Sequence, residues 1–148
     1  MTWPDILLVE NDAADVAVAR RALRRAGIDG LRVARDGEEA LANLQIDGAA
    51  SSKGDESELP DVIFLDLRIP KLDGFEVLRE IRSHPLTSDL PVVVVSSSSR
   101  DEDVRAAYRL GANSFLVKRY ESRQPGAFLA EAARYWLELN RAPRPQRR

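Results

Sequence analysis

Five short apolar runs punctuate the chain, and helical spacing follows each of them. Ile6-Leu7-Leu8-Val9, Val62-Ile63-Phe64-Leu65 and Pro91-Val92-Val93-Val94-Val95 are continuous, as in strands buried on both faces. Leu31-Arg32-Val33-Ala34 alternates and suits a position near a sheet edge, and Ser114-Phe115-Leu116-Val117 is the fifth run. Between them, Val16, Ala19, Leu23 and Ala26 recur at helical spacing and Gly27 closes that helix. Asp36 with Glu39 forms a capping box ahead of Ala40, Leu41 and Leu44. Phe75, Val77, Leu78 and Ile81 pattern a third helix that His84-Pro85 ends. A fourth is expected from a Ser99…Glu102 capping box, with Val104, Ala107 and Tyr108 inward and Gly111 beyond its end. The last takes Pro125 in its first turn and sets Phe128, Ala132, Tyr135, Trp136 and Leu139 on one stripe. Tyr135 and Trp136 are adjacent, so one of them faces outward.

Strands alternating with helices give a parallel sheet covered on both faces and joined by right-handed crossovers. Two stretches fall outside the pattern. Asp47 to Glu58 is rich in Gly, Ser and acids and reads as a surface loop; Arg141 to Arg148 alternates Pro and Arg and reads as a frayed tail.

Composition narrows the class. A length of 148 residues fits one domain with a sizeable core. A net charge of -2 gives no global basic field for nucleic acid. The absence of cysteine excludes disulfides, thiolate metal sites and Cys catalysis. No apolar run approaches the roughly 18 residues that span a membrane, and no basic leader begins the chain, so a cytoplasmic protein is expected.

Candidate chemistry stands at the strand ends. Four of the five runs finish on polar groups: Glu10-Asn11-Asp12, Asp66, Ser96 and Lys118. In a parallel sheet these carboxyl ends form the ligand crevice. One acid after a strand is ordinarily a loop residue or helix cap, but this set at one end suits phosphorylation of a carboxylate. Asp66 can be the nucleophile, hard oxygens near Asp66 and Glu10 suit Mg²⁺, and Lys118 and Ser96 can offset phosphoryl charge.

The motifs Ile-Leu-Leu-Val-Glu (6–10), the run from Val62 to Leu78 that contains Asp66, Pro-Val-Val-Val-Val-Ser (91–96) and Gly-Ala-Asn-Ser-Phe-Leu-Val-Lys (111–118) together resemble the response-regulator receiver domain. The Gly/Ser/acid loop and the Arg134-Tyr135-Trp136-Leu137-Glu138 ending look like the stand-alone regulators that accompany bacterial phytochromes. The resemblance implies a flavodoxin-like doubly wound (βα)5 fold with strand order 2-1-3-4-5, a receiver over 1–142 and an Arg/Pro tail over 143–148. It implies Asp66 as phosphoacceptor, Ser96 as switch hydroxyl, Lys118 as phosphate-pairing lysine and Phe115 as aromatic switch. The metal set it implies is Glu10, Asn11, Asp66 and the Arg68 backbone carbonyl around Mg²⁺. Asp12 then either assists through a water or caps the first helix. Two positions depart from the family. Asn11 is an amide where the direct metal carboxylate stands, so weaker Mg²⁺ binding is expected. Arg119 replaces the proline after the lysine; a cis bond without proline costs about 3–4 kcal/mol, so a trans bond or rearranged loop is expected.

The implied function is a single-domain two-component regulator. It would take phosphate from a histidine kinase, in the narrower match a phytochrome, and signal by partner binding or as a phosphate shuttle. It would not be an enzyme beyond its own phosphorylation and dephosphorylation. A homodimer through helix four, strand five and helix five is expected, with no nucleic acid and no membrane partner. The alternative is a phosphorylation-independent pseudo-receiver that acts as a protein-binding module. A haloacid-type phosphatase is disfavoured because Arg68 occupies the place of its second Asp.

Overall fold

The computed structural model describes residues 5–46, 58–119 and 123–143. Most of the Asp47–Glu58 loop and residues 144–148 of the tail lie outside them. The five apolar runs are β1 (Ile6–Val9), β2 (Leu31–Ala34), β3 (Val62–Leu65), β4 (Val92–Ser96) and β5 (Ser114–Val117). They pair in parallel in the order β2-β1-β3-β4-β5. The intervening helices are α1 (Ala13–Arg25), α2 (Gly37–Asn43), α3 (Gly74–Ser83), α4 (Asp101–Arg109) and α5 (Ala127–Arg134), the last continuing as a π-helical turn, Tyr135–Leu139. None of them is long and apolar enough to cross a membrane.

The period-two alternation of strand side chains splits the core in two. Leu7, Val9, Ile63, Leu65, Val92 and Val94 pack with Ala40, Leu44, Val77, Leu78, Ile81 and Ala107 from α2, α3 and α4. Ile6, Leu8, Val62, Phe64, Val93 and Val95 pack with Val16, Ala19 and Leu23 of α1 and Leu129 and Ala133 of α5. Continuous apolar runs are therefore what β1, β3 and β4 require. β2 and β5, at the edges, are only partly buried.

Aspartate side chains cap three helices, at Asp36 as the sequence predicts. Asp12 accepts from the amides of Ala14 and Asp15, Asp36 from that of Glu39 and Asp73 from that of Glu76. Gly27 follows α1 with φ +80°, a left-handed angle that glycine adopts without strain.

Three expectations are corrected. α4 starts behind Arg100, not Ser99: the Glu102 carboxylate pairs with the Arg100 guanidinium, while the Ser98 hydroxyl donates to Asp103 and accepts from the Arg100 amide. Tyr108 is 50% exposed and leaves Ala107 as the buried residue of α4. Pro125 precedes α5, because Gly126 takes the capping place with φ +82°. Leu129 and Ala133, both ahead of the π turn, form the buried face. Phe128, Ala132 and Trp136 pack partly, and Tyr135 and Leu139 face outward.

Candidate functional site

Register brings the strand-end residues together. Val9 pairs with Leu65, so Glu10 and Asp66 leave neighbouring strands side by side, and the Asp66 amide donates to the Val9 carbonyl at 3.0 Å. Ser96 pairs with Val117, and the Lys118 amide extends that ladder to the Ser96 carbonyl at 2.8 Å. Four residues far apart in sequence thus share one crevice at the carboxyl edge of the sheet.

Lys118 is the hub. Its Nζ lies 2.7 Å from Glu10 Oε1, 3.0 Å from Asp66 Oδ2 and 2.9 Å from Asp15 Oδ2. Glu10 and Asp66 are buried acids, at 4% and 8% exposure, and such burial is tolerated only with a paired counter-charge. Burial opposes the Lys118 charge, but its bonds to Glu10, Asp15 and Asp66 more than offset this and hold its pKa above the ordinary lysine range. Burial raises the Glu10 carboxyl from 4.5 to about 7, against the lowering effect of Lys118 and with help from the neighbouring Asp66 charge.

The remaining oxygens of the two acids are held by backbone. Asp66 Oδ1 accepts from the Arg68 amide at 3.2 Å, and Glu10 Oε2 from the Asp12 amide at 3.1 Å. The loop after Asp66 is pressed in place by α3: a Cβ on Gly74 would stand 2.5 Å from the Leu67 Cα and 2.6 Å from the Asp66 carbonyl oxygen. Only glycine allows that approach.

The other expected residues divide. Ser96 is buried at the crevice, and its Oγ accepts from the Ser98 amide at 3.0 Å while its own proton stays available. Phe115 is half-buried on β5 against the α2/α3/α4 core, so it reaches the site through packing. Asn11 is exposed at the rim. Asp12 caps α1 through its side chain, one of its two expected roles. The Lys118–Arg119 bond is trans, like every bond among the described residues. Asp15 is the site residue that sequence reasoning missed. Its signal was its place in the first turn of α1, three residues after the capping Asp12.

The oxygen donors Asp66, the Asn11 amide and the Arg68 carbonyl fit a hard divalent cation that keeps several waters. Among the described residues no three His, Cys, Asp or Glu side chains are placed to hold a metal by themselves.

A family model, response regulator receiver domain, matches residues 6–125. The chain is 38% identical over 141 residues to the probable methanogenesis regulatory protein FilR2 of Methanothrix harundinacea, covering 95% of this chain and 88% of that one. It is 37% identical over 139 residues to the response regulator Rcp1 of Synechocystis, covering 93% and 92%, and Rcp1 has been solved in an Mn²⁺-bound form with a TM-score of 0.79. The phosphorylated cyanobacterial phytochrome response regulator RcpA superposes with a TM-score of 0.83 at 33% identity, over 97% of this chain and 100% of that one. With its sheet order, its strand-end acids and lysine, and a family match across most of its length, this chain belongs to the response regulator receiver-domain family of two-component signalling.

Proposed function

We propose that Asp66 is a phosphoacceptor that takes a phosphoryl group from the phosphohistidine of a histidine kinase. The observation that carries this reading is the convergence of the Asp66 and Glu10 carboxylates on the Lys118 ammonium at the crevice. An Asp66 oxygen attacks phosphorus, the new P–O bond forms as the P–N bond breaks, and the imidazole leaves with a proton from water. Lys118 and the free Ser96 proton offset the charge of the transferred group. Asp66, the Asn11 amide and the Arg68 carbonyl, with Glu10 alongside, would hold Mg²⁺, which would supply further neutralisation. The amide brings no charge, so binding is weaker than with a carboxylate there. The likeness to the phytochrome response regulator RcpA supports a phytochrome kinase as donor, and the setting proposed is cytoplasmic. The output is contact with a partner, phosphate relay or self-association through α4, β5 and α5, not catalysis on a substrate.

The test is treatment of wild type and Asp66→Asn with Mg²⁺ and a small phosphodonor such as acetyl phosphate, read by intact mass. Wild type is expected to gain one phosphoryl group and the variant none. The uncharged Asn11 favours a second reading, a phosphorylation-independent binding module. Wild type that stays unmodified with acetyl phosphate, and unchanged in its spectra with beryllofluoride, would establish that reading instead.

A further inference from the structure

The lysine of this site has three N–H bonds and all three are committed. Two go to acids at the strand ends, Glu10 and Asp66; the third goes across to α1, to Asp15. The Asp15 backbone is itself fixed, because its amide donates to Asp12 Oδ1 at 3.1 Å. Chain order therefore runs from the cap Asp12 through the first helical turn to Asp15 and on to Lys118. On the lysine's own strand, the last ladder bond is the Lys118 amide to Ser96, and Arg119 follows without a proline's fixed geometry. The direction of the side chain is thus imposed from α1.

We propose that Asp15 is a positioning residue for Lys118: it holds the ammonium at the strand ends, where it meets a phosphoryl group on Asp66. Phosphorylation removes the Asp66 carboxylate charge, so the Lys118 bond to Asp66 passes to a phosphoryl oxygen while those to Glu10 and Asp15 persist. Side-chain exposure is 6% for Glu10, 11% for Asp66 and 24% for Asp15. Pairs this far out of water are little screened by salt. Asp15 makes no contact with the phosphoryl group in this scheme and acts only through the lysine. The effect on phosphorylation rests on the phosphoacceptor reading of Asp66; the tether of Lys118 in the resting protein does not.

The two parts are tested separately. The chain has only three lysines, at positions 53, 71 and 118, and Lys71 is 55% exposed at its side chain. Acylation by a dilute amine reagent, resolved by peptide mass, is expected to modify Lys118 far more slowly than Lys71. Asp15→Ala should speed Lys118 by about tenfold, the scale of one charge-assisted bond, and leave Lys71 unchanged, while Asp15→Glu restores protection. A Lys118 rate unmoved by Asp15→Ala overturns the tether, whatever Asp66 does. The second experiment measures acetyl phosphate incorporation in a double-mutant cycle. Asp15→Ala should slow incorporation severalfold in wild type and have no effect in a Lys118→Met background. An equal effect in both backgrounds would mean that Asp15 acts through its own charge, and the positioning role would be wrong. Loss of incorporation in wild type itself strikes at the phosphoacceptor reading and leaves the acylation result standing.

Discussion

Glu10 shows how one buried side chain ties the site to the stability of the fold. At 4% exposure its charged form is disfavoured, and Lys118 only partly repairs this, so its carboxyl titrates at about 7 when folded against 4.5 as a free side chain. The sign follows from proton linkage. Below 4.5 both folded and unfolded chains carry the proton, and the favourable contribution is complete. Between 4.5 and about 7 the unfolded chain loses the proton while the folded chain keeps it, so stability falls as pH rises; above 7 both are ionised and the dependence ends. Without added metal, the urea midpoint is expected to drop between pH 5 and pH 7.5, by up to about 3 kcal/mol in stability. Glu10→Gln should flatten that slope, and a slope unchanged by the substitution would contradict the assignment. Sequence alone marked Glu10 as a site residue but not its protonation, which depends on how tightly β1 and β3 bury their ends. Asp15 was hidden for a related reason. An acid in a first helical turn is adequately explained by the helix dipole, so nothing in the spacing asks for a second role.

At the scale of elements, the site depends on a junction far from it. Arg82, in the last turn of α3, donates to the Gly111 carbonyl at 2.9 Å, to Ser88 and Leu90 carbonyls at 3.0 and 2.8 Å, and to Asn113 Oδ1 at 2.8 Å. Asn113 Oδ1 in turn accepts from the Val92 amide at 2.8 Å. One guanidinium thereby ties the end of α3 to the segments that enter β4 and β5, the strands that deliver Ser96 and Lys118. Burial presses its pKa down, yet its carbonyl partners keep it a full donor. Arg82→Met would leave these carbonyls unpaired and is expected to cost about 2–4 kcal/mol in urea unfolding. Arg82→Lys should recover little, since one ammonium cannot span the fork. A loss below about 1 kcal/mol would show that water replaces the network. None of this was legible beforehand, because an arginine ending a helix reads as a dipole partner. Strand boundaries were legible almost residue by residue, since burial on both faces leaves unbroken apolar runs. β4 differed by one position at each end, running from Val92 to Ser96. The start of α4 was misplaced because a Ser99…Glu102 spacing reads as a capping box, whereas the cap residue is Arg100 without a side-chain capping bond and Glu102 pairs with its guanidinium.

For the molecule as a whole, the sheet order leaves β5 as an edge strand flanked by α4 and α5, and it is here that large apolar side chains meet water. Tyr108 on α4 is 50% exposed, Val117 at the end of β5 is 39%, and Tyr135 and Leu139 beyond α5 are 48% and 77%. The last-helix stripe had suggested that either Tyr135 or Trp136 points out, and the structure selects Tyr135. Trp136 packs on the α1/α5 core, with the Tyr135 ring edge-on to it at a centroid distance of 5.1 Å and 87°. A rigid, half-exposed tyrosine beside exposed aliphatic side chains is the composition of an interface centre, because it buries apolar area at small entropic cost. α1, which packs beside α5, presents instead Arg20, Arg21, Arg24 and Arg25 around an open groove with Arg35. Like charges meeting there would repel a second copy. Self-association is therefore expected through the α4–β5–α5 edge, with wild type eluting at the mass of two chains in light scattering at micromolar concentration. Tyr135→Glu combined with Leu139→Glu should bring it to one chain at a cost of about 1 kcal/mol in urea unfolding from the lost Tyr135–Trp136 ring contact, Leu139 being already in water. Arg20→Glu on α1 should leave the dimer intact. A wild type that stays monomeric under the phosphodonor treatment, or a dimer that survives the paired substitution, would reassign these exposed side chains to contact with a different protein.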